Sequence, residues 1–416
     1  MEEIWRARVE TILPRVMREQ KIDLWIVRSD EGELFFNDES PVFMSLLQAN
    51  DEGMAIPSRH APSGSQRLPR FLAFHDTGDE IEYTEPKDYE EIAELVQKLD
   101  PERIAIADFA NDPLMKALGA KYGQRTVSSW ELGVRWLETA TPDQIRTYIQ
   151  VQRVANALIA EGFSNAVVTP GVTTTADLNW WFRHRMLELQ LEHENHPTIG
   201  VQRKPENIEK YDDPPEAFVH GRSGNDVSVT IQPGDVISCD TDVMLFGLVT
   251  DSHQHAYVLE EGETEVPTAL QEALLTVNRV QDLLAEEFQQ DRTGIEIVAV
   301  AEPRMAAVAD VVETEAAFHP PPTYIRRFLR GGFFFPTKPW VAGMTSGPGY
   351  YPTSIVTNER PLHYDTLYAF EPHTSVAVPG WGERGVELGI GQITSYTRDG
   401  FRYLERAQPI KFHVIK

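Results

Sequence analysis

One cysteine, Cys239, stands alone in 416 residues. The chain therefore cannot close a disulfide within itself, and nothing in it calls for an oxidising compartment. Long apolar runs are also missing: none approaches the ~18 residues a membrane span needs. The start, Met1-Glu-Glu-Ile-Trp-Arg6, lacks the basic-then-apolar pattern of a secretion signal. These absences set the expectation of a cytoplasmic protein that does not enter a membrane. Positive charge is in short supply, with 38 Lys and Arg against 64 Asp and Glu and a net charge of −26. Duplex nucleic acid and anionic lipid repel such a polyanion, so neither is expected as the main partner. The acids read as a solvated surface, which would also suit a salty medium. No Gly-Lys-Ser/Thr phosphate loop, dinucleotide fingerprint, fixed-period repeat or low-complexity tract occurs.

Hydrophobic residues, at 41%, suffice for a core and exclude a largely disordered chain. Length alone suggests two or three domains. Residues 1–140 alternate short apolar runs with helical patterns. Residues 24–27, 70–74 and 104–107 read as buried strands, and 89–99 and 113–118 as helices. This half carries no concentrated polar motif and is expected to be a small α/β domain with a supporting role. A boundary falls near Thr139-Ala-Thr-Pro142. There Thr141 suits an N-cap, Pro142 the first helical position and Asp143 the helix N-terminus. Residues 141–416 hold a helix from Pro142, a second over 177–191 and a third from Pro267, with Leu270, Leu274, Val277, Leu284 and Phe288 at helical spacing. Strand-like runs fall at 198–202, 227–231, 236–240, 366–378 and 386–396. Strands so far apart, separated by helical blocks, suggest an α+β domain with a curved sheet under helices.

Three carboxylates stand out in the second half. Asp240 ends the run opened by Pro233-Gly234-Asp235, and Asp251 follows eleven residues later. If the two segments pair as a hairpin with Leu245-Phe246 at its tip, Asp240 and Asp251 face each other. Two carboxylates that close repel unless a cation or a shared proton lies between them, the mark of a metal or acid–base site. The alternative is a solvated hairpin with two exposed acids. Glu371 sits in the apolar run Leu367-Tyr-Ala-Phe-Glu371-Pro-His373, where a charge is costly unless paired or metal-bound.

Gln232-Pro-Gly-Asp-Val-Ile-Ser-Cys-Asp240, Gly247-Leu-Val-Thr-Asp251 and Phe370-Glu371-Pro372 resemble the creatinase / aminopeptidase P / prolidase family. Residues 250–259, 292–296, 171–177 and Gln202-Arg203 are similar to one bacterial branch of Xaa-Pro peptidases. The resemblance covers most of the chain. It implies an α+β pita-bread domain behind a smaller α/β N-terminal domain, usually in a homodimer. It also implies hydrolysis of a C–N bond in a small molecule or short peptide, with two divalent metals held by two Asp, one His and two Glu. Asp240, Asp251 and Glu371 match the two Asp and the first Glu. Met344, in Ala342-Gly-Met-Thr-Ser-Gly-Pro348, stands where the His is expected, and Gly391 stands at the second Glu. A thioether is a soft, uncharged ligand and glycine offers none. Glu387, the nearest acid to Gly391, lies roughly 13 Å away along a strand. A two-metal clamp with a bridging hydroxide is therefore not expected. At most one divalent ion (Mn, Zn or Fe) is.

Other residues could rebuild such a site. Asp242, His253, His373 and Glu387 are further candidate ligands. Asp251, His253 and His255 share one strand face at period 2, and Glu371 and His373 share another. With twelve histidines in the chain, chance pairings at a surface or core edge are the alternative. His220, in Phe218-Val-His220-Gly-Arg222, resembles the position of a substrate-contacting histidine, or is an ordinary loop residue. Arg326, Arg327 and Arg330 read as a solvated or dimer-facing cluster, residues 333–335 as core, and Cys239 as buried with no base to activate it. Three readings stay open. In the first, a hydrolase with a reduced or rebuilt metal site, Asp240, Asp251 and Glu371 hold the ion and His220 steers the substrate. In the second, a metal-free enzyme of creatinase type acts on a guanidino or amide compound, with His220 as acid and base and Glu371 orienting the substrate. In the third, a non-catalytic protein binds a small ligand or peptide.

Overall fold

A computed structural model of the chain describes residues 2–29, 70–106, 113–193, 197–211, 217–219, 222–223, 227–246, 248–315, 317–319, 341–342, 361–405 and 408–416. His220, Met344, Arg326, Arg327, Arg330 and residues 333–335 lie outside them. The described chain forms two compact units that divide between Gln144 and Ile145.

The first unit comprises α1 (Glu2–Glu19), β1 (Leu24–Ser29), β2 (Arg70–Asp76), β3 (Ile81–Thr84), α2 (Tyr89–Leu99), β4 (Ile104–Ile106), α3 (Pro113–Gly123), β5 (Thr126–Ser128) and α4 (Trp130–Glu138). Its sheet runs β3-β2-β1-β4-β5, antiparallel from β1 towards β3 and parallel from β1 towards β5. Alternation along β1 sorts the two cores. Trp25 and Val27 pack with Leu13, Met17 and Trp136 of α1 and α4, while Leu24 and Ile26 pack with Ile92, Val96 and Leu118 of α2 and α3. Asp88 starts α2 by accepting the N–H groups of Glu90 and Glu91. The sequence pattern does not single out α1, where Pro14 interrupts the apolar spacing, or the short β3.

From Pro142 onward the elements are α5 (Pro142–Gly162), α6 (Thr175–Glu188), β6 (Thr198–Gln202), α7 (Pro205–Lys210), β7 (Phe218–Val219), β8 (Arg222–Ser223), β9 (Val236–Thr241), β10 (Met244–Leu245), β11 (Leu248–Val249), β12 (Ser252–Val258), α8 (Thr268–Ala285), α9 (Gly294–Ala306), β13 (Val311–Glu315), β14 (Ala317–His319), β15 (Val341–Ala342), β16 (Thr366–Phe370), β17 (His373–Val376), β18 (Val386–Gly389), β19 (Gln392–Thr397), β20 (Gly400–Tyr403) and β21 (His413–Ile415). They build a six-stranded sheet β21-β12-β9-β6-β8-β7, a three-stranded sheet β13-β17-β18 and a five-stranded sheet β15-β14-β16-β19-β20, with β10-β11 as a separate hairpin.

Two expected strands are each split. The runs 366–378 and 386–396 lie antiparallel, but Glu371-Pro372 and Ile390-Gly391 interrupt them together. On one side of the break Phe370 pairs with Gln392; on the other His373 pairs with Gly389. Pro372 has no N–H to give a ladder, so one pair of chain segments serves two sheets. Helix α8 covers both. Leu270, Leu274 and Val277 pack with Val386 and Leu388, whereas Val280 and Leu284 pack with Phe370 and Tyr396. Between these groups, the buried Gln281 amide donates to the Ile390 carbonyl at the break (2.8 Å). The expected strand at 227–231 is instead a lone bridge of Thr230 to Thr174. Its partner segment is committed to the capping box of α6, made by Thr174 and Asp177, and Pro233-Gly234 turns the chain before a ladder can extend.

Arg203, just past β6, and Asp235, just before β9, form a fully buried two-pronged pair with both N···O distances at 2.7 Å. Asp235 also accepts the Gln232 N–H (2.7 Å), which closes the turn into β9. Removing one partner strands the other charge in the core. Arg203→Met should cost about 3–5 kcal/mol in urea-unfolding free energy, and adding Asp235→Leu should recover part of that loss.

Candidate metal centre

The antiparallel pairing of β9 with β12 sets Thr241 against Ser252, Asp240 against His253 and Ser238 against His255. Beyond it, Met244 pairs with Val249 and Leu245 with Leu248. The hairpin tip thus falls one residue-pair step later than the expected Leu245-Phe246. Asp240 does not face Asp251, as the sequence spacing suggested; it faces His253, with Asp251 diagonal to it on the same side of the ribbon. The physical cause is the reversal after Leu245, where Phe246 takes a left-handed φ of 54° and fixes the register.

His253 is the hub of the centre. Its Nε2 lies 3.0 Å from Asp240 Oδ1, 3.2 Å from Asp251 Oδ1 and 3.2 Å from Glu371 Oε2. The Asp240 side chain is about half exposed, at 49%, whereas Glu371 is nearly closed off, at 9%. Two reciprocal backbone hydrogen bonds pin His253 to the strand break: its N–H donates to the Gly391 carbonyl (3.1 Å) and its carbonyl accepts the Gly391 N–H (3.3 Å). Gln152 of α5 braces the same place from behind. Its amide donates to Ser252 Oγ (2.9 Å), and its Oε1 accepts the Ile393 N–H (3.1 Å).

Glycine at 391 is what lets the imidazole in. A Cβ built there would stand 2.8 Å from His253 Cγ, closer than real side chains approach. A Cβ at Gly389 would collide in the same way with the ring of His373. That ring lies 5.6 Å from the His253 ring at 69°. Glu387 Oε1 stands 3.7 Å from His373 Nδ1. The peptide of Glu387 is held at both ends by the Gln202 amide, which donates to its carbonyl (2.6 Å) and accepts its N–H (2.9 Å).

Donor atoms within 4.8 Å of one another fall into two sets among the described residues: Asp240, Asp251 and His253, and His253, Glu371 and His373. Asp240, Asp251 and Glu371, grouped from the sequence, are therefore divided between two sets that share His253. Asp242 is buried two residues past Asp240 and belongs to neither set. Glu387 belongs to neither and stands behind His373. His255 shares the His253 face but turns to another partner, with Nε2 2.9 Å from the Gly389 carbonyl. The pair Gly389 and Gly391 is the signal the motif reading left unused, since glycines two apart in a strand mark one face on which another group comes close.

Burial works to lower the His253 pKa, but Asp240, Asp251 and Glu371 overcome it and hold the ring well above the usual histidine range. The centre therefore calls for positive charge, either on the ring or from an ion. The donor set fits one ion: N···O separations of 3.0–3.2 Å are those of ligands sharing a cation at about 2.0–2.2 Å. A single Nε2 lone pair serves only one ion at a time.

His255 carries the opposite bias, because burial pushes its pKa down to about 4. The unfolded chain takes up this proton near pH 6.5 while the folded chain resists it, so stability falls as pH drops from about 6.5 to about 4. The His255→Asn variant should lack roughly 3 kcal/mol of that acid-side loss. Urea unfolding of both proteins at pH 7 and pH 4 checks it.

No family model and no curated protein matches the sequence. Solved structures do resemble the fold. The X-Pro aminopeptidase of Thermotoga maritima MSB8 is 12% identical, with a TM-score of 0.53 over 96% of this chain and 99% of its own. A dipeptidase of Pyrococcus horikoshii OT3 is 13% identical, with a TM-score of 0.52 over 97% and 98%. The dipeptidase PepE of Mycobacterium ulcerans is 14% identical, with a TM-score of 0.50 over 99% and 98%. The chain has the α+β pita-bread fold of these proteins, as the sequence resemblance implies. Among the described residues no helix is long and apolar enough to cross a membrane.

Proposed function

We propose that the protein hydrolyses a C–N bond in a small molecule or short peptide, at a single-ion centre rebuilt around His253. The observation that carries this reading is the convergence of carboxylates from three chain segments on one imidazole nitrogen, at 3.0–3.2 Å. Asp240, Asp251 and His253 would hold a divalent ion. Bound there, the ion would polarise the scissile group and make its water more acidic. Glu371 reaches the same nitrogen from the break between β16 and β17, with its side chain nearly closed off from solvent. It would take the proton of the attacking water and hand it to the leaving nitrogen. His220 keeps its proposed part in steering the substrate.

A metal-free reading has one feature in its favour: Asp240, Asp251 and Glu371 favour the protonated form of His253, and a protonated ring would itself supply positive charge to these carboxylates. In that reading His220 moves the protons and Glu371 orients a guanidino or amide substrate.

Elemental analysis and turnover of the purified protein separate the two. The ion-dependent reading expects roughly one Mn, Zn or Fe per chain, lost in His253→Ala, with hydrolysis of amide or Xaa-Pro substrates that stops on chelation. Glu371→Gln should keep bound Mn while kcat/KM falls about 10²–10⁴-fold. Undiminished turnover after chelation would transfer the case to the metal-free reading.

A further inference from the structure

We propose that this centre offers an ion a second position, held by His253, Glu371 and His373, and that the softness of the ion decides between the two. The inference rests on the single-ion reading above and deepens it. The donor atoms of these three residues lie within 4.8 Å of one another, and they form a set distinct from Asp240, Asp251 and His253.

Each member of the second set is placed by the fold. His253 enters over Gly391 and His373 over Gly389, the only residue type whose missing Cβ leaves room for either ring. Glu371 is set by the break between β16 and β17, with Pro372 directly behind it. On the Nδ1 side of His373, Glu387 Oε1 stands at 3.7 Å, an ion-pair and not a hydrogen-bond separation, near the place from which an outer carboxylate orients a ligating imidazole. Gln202, clamped to both ends of the Glu387 peptide, holds that carboxylate's backbone still.

The chemistry of the two sets differs. Two carboxylates and one imidazole suit Mn²⁺, whereas two imidazoles and one carboxylate suit Zn²⁺, Co²⁺ or Fe²⁺. His253 Nε2 is common to both and can bind only one ion, so the positions exclude each other. Mn²⁺ takes the aspartate side and Zn²⁺ the His373 side.

The test uses the full chain freed of metal, with Mn²⁺ followed by electron paramagnetic resonance and Zn²⁺ by calorimetry. In the wild type Zn²⁺ should displace Mn²⁺ one for one. His373→Gln should weaken Zn²⁺ by about 100-fold or more and Mn²⁺ by less than about threefold, and Asp240→Asn should do the reverse. Glu387→Gln, a milder change in a partly exposed residue, should weaken Zn²⁺ by about tenfold and leave Mn²⁺ alone. Equal loss of both ions in His373→Gln and Glu387→Gln, or simultaneous binding of Mn²⁺ and Zn²⁺, would overturn the proposal and leave the single-ion reading intact. Failure of both ions to bind the wild type would overturn both.

Discussion

Two backbone hydrogen bonds between His253 and Gly391 hold the centre of the second unit together. They attach β12, the strand that carries the imidazole, to the point where the paired runs 366–378 and 386–396 change sheets. That interruption costs ladder hydrogen bonds, and unpaired backbone groups in a core are expensive. The structure meets the cost with partners from outside the ladder: His253 on one side and Gln281 of α8 on the carbonyl of Ile390. Gln152 then ties the strands flanking His253 and Gly391 to α5. The same break that requires these partners releases Glu371 from the sheet and turns it towards the imidazole.

The charge at the centre follows from this geometry. Three carboxylates within 3.0–3.2 Å of one nitrogen repel one another unless a cation or a shared proton lies among them; burial of Glu371 sharpens the demand, and the half-exposure of Asp240 eases it. Under the single-ion proposal, an ion held by Asp240, Asp251 and His253 would leave Glu371, 3.2 Å from the same imidazole nitrogen, to carry a proton. With an ion between the histidines it would become a ligand instead, and that employment removes it from proton transfer. The identity of the bound ion would then set both affinity and catalytic competence.

Much of the fold was legible in the sequence. Apolar runs at 24–27, 70–74 and 198–202 form strands, as do residues 104–106 of the run expected at 104–107, and 89–99 forms a helix with those bounds. Their patterns are local, and period alone distinguishes them. The errors came where distant segments decide. The hairpin register depended on the left-handed residue at Phe246, which an apolar side chain does not advertise. The splitting of 366–378 depended on Pro372 lying beside Ile390-Gly391, far away in sequence. The segment 227–231 has strand composition, but its neighbours were spoken for by the start of α6. At the site, Asp240, Asp251 and Glu371 were readable as costly charges. The primacy of His253 was not, because it rests on the empty space over Gly391, and a missing side chain reads in sequence as a mere departure from a motif.

That empty space has a corollary for substitution. Any residue larger than glycine at 391 would bring its Cβ to 2.8 Å from His253 Cγ, so the imidazole or the strand beneath it would have to shift. The two positions are coupled: a side chain at 391 and the present seat of the His253 ring compete for the same space. A substitution at either site is therefore expected to be felt at the other, so their effects on stability should not add.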